Sequence, residues 1–202
     1  MTDVTIVPTG TANLASVRAA FDRLGAGVTL ADTPEAVEAA PRVVVPGVGS
    51  FGAAMDTLVG NGTAGAIERR VASDRPTLAV CVGMQLLANC SEESDGIAGL
   101  GVLDQRVRRF GEGVRLPQLG WNHVTPSDSS RFLTRGWAYF ANSYRIEKVP
   151  DGWSASFADH GGSFVAALER GAILACQFHP ELSGAWGGEI LARWLSATEG
   201  VG

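Results

Sequence analysis

The chain has 202 residues, of which 46% are hydrophobic and 18% charged, with a formal net charge of −5. Glycine supplies 26 of them, well above the roughly 7% of an average protein, while nine prolines are ordinary, so collagen-like, low-complexity and disordered compositions are excluded. The acidic balance argues against nucleic acid as the main partner, because phosphate binding rests on clustered Lys and Arg.

In chain order, Val4–Val7 reads as a strand, and Leu14, Val17, Phe21 and Leu24 then recur at helical spacing up to a natural stop at Gly25. Val28–Leu30 is a second strand, and Thr33-Pro34 opens a short helix with proline at a tolerated first-turn position. Arg42–Val45 is a β-branched run of the kind buried on both faces. A glycine-rich turn and helical stretches through Val71 follow, then a fourth strand at Pro76–Val80. This βαβα rhythm argues for a mixed, mostly parallel central sheet flanked by helices. The second half changes character. Val102–Phe110, Val124, Trp137–Tyr144, Trp153–Ala158 and Phe164–Leu168 read as strands joined by turns, an antiparallel excursion. Ile173–Phe178 is a further buried strand, and Ile190, Leu191, Trp194 and Leu195 mark a closing helix. No linker or repeat interrupts residues 1–202, and one α/β domain is expected at this length.

Apolar stretches such as Leu78 to Met84 fall far short of the ~18–20 residues of a membrane span. The opening Met1-Thr2-Asp3 shows no signal-peptide pattern. Three cysteines, Cys81, Cys90 and Cys176, lack a framework spacing, which fits a reducing cytoplasm. The basic run Arg106, Arg108 and Arg109 is expected to be a solvated strand edge. Cys90 and Cys176 are expected to pack, and His123 and His160 to lie on the surface or in loops. No metal-ligand spacing is present, and no cofactor is expected.

The most informative segment is Leu78-Ala79-Val80-Cys81-Val82-Gly83-Met84-Gln85. A strand runs into Cys81 and a helical pattern begins directly after it, the layout of a nucleophile elbow. The residues two before and two after the nucleophile must be small, and they are Ala79 and Gly83. A cysteine at a helix N-terminus is favoured as its thiolate. A buried core cysteine is the alternative for this segment alone. The second segment, a buried strand ending in Gln177-Phe178-His179-Pro180-Glu181, tips the balance. In an extended chain His179 and Glu181 project to one face, with Pro180 pointing away. A carboxylate beside an imidazole fixes its tautomer, the orienting role in a nucleophile–base–acid triad. Both segments end buried strands, where sheets of this type place their sites.

The third segment, Pro46-Gly47-Val48-Gly49-Ser50-Phe51-Gly52, matches Gly-x-Gly-x-x-Gly after a strand. As a dinucleotide fingerprint it is weak, because Pro46 interrupts the entry and no strand ends in an acidic residue ~20 positions on. The alternatives are a structural turn and a loop beside the elbow that offers backbone N–H groups to an oxyanion, with the N–H of Val82 as second donor.

With these segments placed, the chain resembles a class I (triad) glutamine amidotransferase, and within that family the glutaminase subunits of imidazole glycerol phosphate synthase. The resemblance runs essentially end to end. It covers Thr9–Val17, Pro46–Gly49, Cys81–Leu87, Ser91-Glu92-Glu93-Ser94, Leu119-Gly120-Trp121-Asn122, Tyr139-Phe140 with Ser143-Tyr144, and Gln177–Glu181. It departs from the family pattern at Ala79, where glycine is usual, at Asn142, where histidine is usual, and at Leu182, where a basic residue is usual. Pro8 replaces an acidic residue.

The resemblance implies the flavodoxin-like class I fold and a triad of Cys81, His179 and Glu181. It implies an oxyanion hole from Gly47, Val48, Gly49 and Val82, and glutamine held by Gln85, Ser143 and Tyr144. It implies a heterodimer with a (β/α)8-barrel cyclase subunit, HisF, which takes up the ammonia and makes imidazole glycerol phosphate and an aminoimidazole carboxamide ribotide. Since the match leaves no acceptor domain in these residues, the ammonia is expected to pass to another chain. Two alternatives are a pyridoxal phosphate synthase type of glutaminase and a non-catalytic binding relative.

Overall fold

The computed structural model describes residues 3–10 and 13–200. Met1 and Thr2 of the signal-peptide reading, and Thr11 and Ala12 of the N-terminal motif, lie outside the described residues.

The first half winds as β1 (Asp3–Ile6), α1 (Leu14–Asp22), β2 (Gly27–Leu30), α2 (Pro34–Ala39), β3 (Val43–Gly47), α3 (Phe51–Gly60), α4 (Thr63–Ala72), β4 (Thr77–Cys81) and a short α5 (Val82–Leu86). Helix starts follow local chemistry. The side chains of Asn13, Thr33 and Ser50 each accept a bond from a backbone N–H in the first turn of α1, α2 and α3. The second half runs β5 (Ala88–Ser91), β6 (Leu103–Arg109), β7 (Gln118–Pro126), β8 (Gly136–Asn142), β9 (Tyr144–Arg145), β10 (Ser154–Asp159), β11 (Ser163–Arg170), β12 (Ile173–Cys176), a 3-10 turn at Pro180–Leu182, and α6 (Gly184–Ala197).

Nine strands form one sheet in the order β2-β1-β3-β4-β12-β11-β10-β7-β8. From β2 to β12 the neighbours run parallel, and from β12 outward they run antiparallel. The antiparallel excursion is therefore a continuation of the parallel sheet. Strands β5, β6 and β9 form a small separate sheet.

Moving left from β1 to β2 and right from β2 to β3 with right-handed crossovers puts α1 and α2 on opposite faces. Phe21 of α1 meets Trp194 of α6 edge-on at 6.4 Å, closing one layer. In the other, Arg70 of α4 donates to the carbonyls of Val37 in α2, of Ala40 just after it and of Pro76 before β4. Its burial is the main reason its pKa is lowered to about 10. Val43, Val44, Val45, Leu78, Ala79, Ile173 and Leu174 are fully buried, as central strands covered on both faces require.

The register positions the site. Cys81 at the end of β4 pairs with Gly47 of β3, and one step earlier Val80 pairs with Cys176 of β12. The chain leaving β12 thus passes beside Cys81. The basic run is solvated as expected but does not lie on an edge strand: β6 sits between β5 and β9, and Arg106 and Arg108 are exposed and paired with Glu92. Among the described residues, no helix is long and apolar enough to cross a membrane.

Candidate active site

Cys81 joins β4 to α5 with φ 54° and ψ −110°, and only one other non-glycine among the described residues, Asp74, has positive φ. Holding a side chain there costs on the order of 1–3 kcal/mol and persists because its surroundings over-determine it. The packing shows how. A Cβ on Gly83 would sit 1.9 Å from the carbonyl oxygen of Val45, so β3 runs directly under the first turn of α5. Ala79, the other small position, is fully buried and accommodates its methyl within the sheet. The elbow therefore demands bare backbone after Cys81 and tolerates one carbon before it.

His179 and Glu181 meet as expected, with Nδ1 and Oε1 2.8 Å apart. The route differs from strand alternation. Strand β12 ends at Cys176, and Pro180 starts a 3-10 turn that contains Glu181. The ring of Pro180 sets φ for that turn, which folds the carboxylate back to the imidazole. The backbone of His179 is pinned separately: its N–H donates to the carbonyl of Tyr139 at 2.9 Å. The Ser183 hydroxyl donates to the His179 carbonyl and accepts from the Tyr139 N–H. Burial, the largest influence, pulls the His179 pKa down. Hydrogen bonding to Cys81 and Glu181 and their negative charge outweigh it and raise the value to about 10. The arrangement favours an imidazolium set between the Cys81 sulfur and the Glu181 carboxyl group.

Cys81 and His179 open onto a cavity of about 300 Å³, whose wall includes Val48, Gly49, Val82, Gln85, Glu93 and the strand end Ala141–Tyr144. Gly49 has φ +85°, the left-handed region glycine favours, in the loop between β3 and α3. Gly47 lies beneath this wall, packed against Val82, and Glu181 lies behind His179. Ser143 and Tyr144 both reach the wall. The predicted site residues therefore converge, in two layers around one opening.

Other residues at the site stand in the segments that carry the family resemblance, where no individual role was expected of them. Glu93 lines the cavity while one of its oxygens accepts from the Phe51 N–H at 2.7 Å, and Ser94 Oγ accepts from the Gly52 N–H, so this pair holds the start of α3. The fully buried Thr9 hydroxyl donates to the Pro46 carbonyl at 2.8 Å, anchoring the loop from below. Gln177 bridges Gln85 and Cys81. A wider cleft of about 520 Å³ lies on the other side of Pro117, lined by Arg115, Trp121 and His160 among others, and it includes none of Cys81, His179 and Glu181. His160 bonds the Arg115 carbonyl there, and His123 stacks edge-on against Trp137 on the surface. Cys176 is buried and Cys90 partly so, consistent with packing. Among the described residues no group of His, Cys, Asp and Glu could hold a metal ion.

Comparison with known proteins is consistent with this geometry. The glutamine amidotransferase class-I family matches residues 7–196. The chain is 40% identical over 198 residues to the imidazole glycerol phosphate synthase subunit HisH of Symbiobacterium thermophilum, covering 96% of this chain and 93% of that one. It is 38% identical over 199 residues to the chloroplastic imidazole glycerol phosphate synthase hisHF of Arabidopsis thaliana, covering 95% of this chain and 34% of that much longer one. A solved structure described as a glutamine amidotransferase superposes with a TM-score of 0.78 at 20% identity, over 96% of this chain and 98% of that one.

Proposed function

The chain belongs to the class I glutamine amidotransferases, and from that premise we propose that it is the glutaminase subunit of an imidazole glycerol phosphate synthase in histidine biosynthesis. Its named relatives favour this assignment over the other class I glutaminases. The observation that carries the chemistry is the convergence of Cys81, His179 and Glu181 at a cavity sized for an amino acid.

The Cys81 thiolate attacks the side-chain amide carbon of glutamine, forming a carbon–sulfur bond as the carbonyl oxygen takes up negative charge. The N–H of Val82 and those of the Gly47–Gly49 loop receive that oxyanion; one such donor is worth about 10²–10³ in rate. His179 gives its proton to the departing nitrogen, the carbon–nitrogen bond breaks, and ammonia leaves. Water, deprotonated by His179, then attacks the thioester, and the carbon–sulfur bond breaks to give glutamate and the thiolate. Glu181 holds the imidazole in its productive tautomer throughout. The Glu93 carboxylate in the wall suits the α-ammonium group of the substrate, and Ser143 and Tyr144 close the opposite side.

The ammonia passes to a cyclase subunit, HisF. The outer face of the β7–β8 hairpin supports a docked partner. Three cross-strand pairs stand on it, Leu119 with Ala141, Trp121 with Tyr139 and His123 with Trp137. Leu119, Trp121 and Trp137 are 68%, 56% and 58% exposed, and Ala141 of the same face lines the cavity. Large aromatics exposed at a site mouth mark an interaction surface. Treatment with diazo-oxo-norleucine, a reactive glutamine analogue, tests the chemistry: a single covalent adduct on Cys81 is expected, and an unmodified Cys81 would contradict it.

A further inference from the structure

The triad leaves one polar group at the nucleophile unexplained. The parallel register pairs Cys176 with Val80, and the residues that follow them, Gln177 just past β12 and Cys81 at the end of β4, lie side by side. Gln177 is fully buried, and its side-chain amide N–H donates to Cys81 Sγ at 3.7 Å.

The orientation of that amide follows from the backbone. The main-chain carbonyl of Tyr144 can only accept, so the Gln85 side chain must turn its NH₂ toward it, at 3.2 Å. The same NH₂ group lies 2.9 Å from Gln177, which must therefore present its oxygen there. The NH₂ of Gln177 is then left facing the sulfur. A fixed carbonyl on the cavity wall thus dictates, through two amides, which end of Gln177 meets the nucleophile.

We infer that Gln177 is a further catalytic residue, an uncharged hydrogen-bond donor to the Cys81 sulfur whose orientation is set by the Tyr144 carbonyl through Gln85. It acts twice in the glutaminase cycle, on which its effect on turnover rests. In the resting enzyme it holds the thiolate in place for attack. When the thioester is hydrolysed, the electron pair of the breaking carbon–sulfur bond returns to sulfur, and the same N–H receives the thiolate as leaving group. The relay also commits both Gln85 N–H bonds inside the protein. Only the Gln85 carbonyl oxygen remains to meet a ligand, and an acceptor there matches a substrate N–H and opposes the carboxylate of glutamate.

The test is the pH dependence of Cys81 alkylation by iodoacetamide, assigned by peptide mapping apart from Cys90 and Cys176, alongside steady-state glutamate release. The titratable groups that face Cys81 are His179, backed by Glu181, on the chain after β12, with Glu93 and Tyr144 in the cavity wall. All are unchanged in Q177M, which keeps side-chain length and removes the donor. Q177M is expected to move the alkylation midpoint upward by about one pH unit and to lower kcat about tenfold, with KM shifted less than about threefold. Q85M removes both the substrate contact and the relay, so it is expected to raise KM and to move the alkylation midpoint in the same direction as Q177M. Q177N withdraws the amide by one methylene and serves if Q177M does not fold. An alkylation profile unchanged from wild type would overturn the inference even if kcat fell, because that pattern reports packing alone. The alkylation arm needs no glutamine, so failure of the glutaminase reading shows separately as absent glutamate release in the wild type assayed with the cyclase subunit and its nucleotide ligand.

Discussion

Nδ1 of His179 lies 2.8 Å from Oε1 of Glu181, with only 4% and 5% of the two side chains exposed. A charge pair so far from water is favourable only when its geometry is good and its partners are fixed. Here the fixing comes from the backbone bonds between His179, Tyr139 and Ser183. The pair therefore orients the imidazole and holds its proton.

The pH consequence has a definite sign. The His179 pKa is about 10 in the folded chain against 6.5 ordinarily. Its contribution to stability is present in full below pH 6.5 and is lost progressively as pH rises toward 10. Denaturant unfolding of wild type and H179Q across this range should show the gap in stability between them narrowing with rising pH. E181Q removes one of the influences that raise the value, so the imidazole midpoint followed by NMR should fall.

The elbow predicts an inverted glycine effect. At most positions glycine is less stable than alanine by about 0.5–1 kcal/mol. At Cys81 the backbone lies in a region that glycine enters freely, so C81G should be more stable than C81A by about 1 kcal/mol, measured by thermal unfolding, and both should release no glutamate. Equal stability would show that the elbow carries no strain.

Gly83 and Ala79 should respond asymmetrically. G83A forces a methyl onto the Val45 carbonyl and should cost about 3 kcal/mol, lowering Tm by about 6–12 °C. A79G should leave activity within about twofold of wild type, since the alanine methyl already fits the sheet.

The outer β7–β8 face should separate stability from association. W121A and W137A should leave the isolated subunit within about 0.5 kcal/mol of wild type. Each should weaken cyclase binding, measured by calorimetry, by about 2 kcal/mol or more.

Much of this site was legible in the chain because its key residues stand at the ends of apolar runs. Val43–Val45, Leu78–Val80 and Ile173–Ala175 announce buried parallel strands, and Gly47, Cys81 and His179 follow them. The turn that brings Glu181 to His179 was not legible, because His-Pro-Glu fits both an extended chain and a 3-10 turn until Ser183 and Tyr139 fix one. Nor was the extent of β7, where exposed Leu119 and Trp121 break the pattern of a strand that buries one apolar face. Gln177 stood inside a recognised motif, yet its contact with Cys81 spans 96 residues and depends on the register of β4 and β12. Spacing along a chain cannot carry that information.

The proposed glutaminase makes ammonia for a second chain. Glutamate release from glutamine, measured with and without the cyclase subunit and its nucleotide ligand, tests it most directly. A clear rise when both are added, abolished by C81S, is the predicted result. An unchanged rate on adding both would contradict the account.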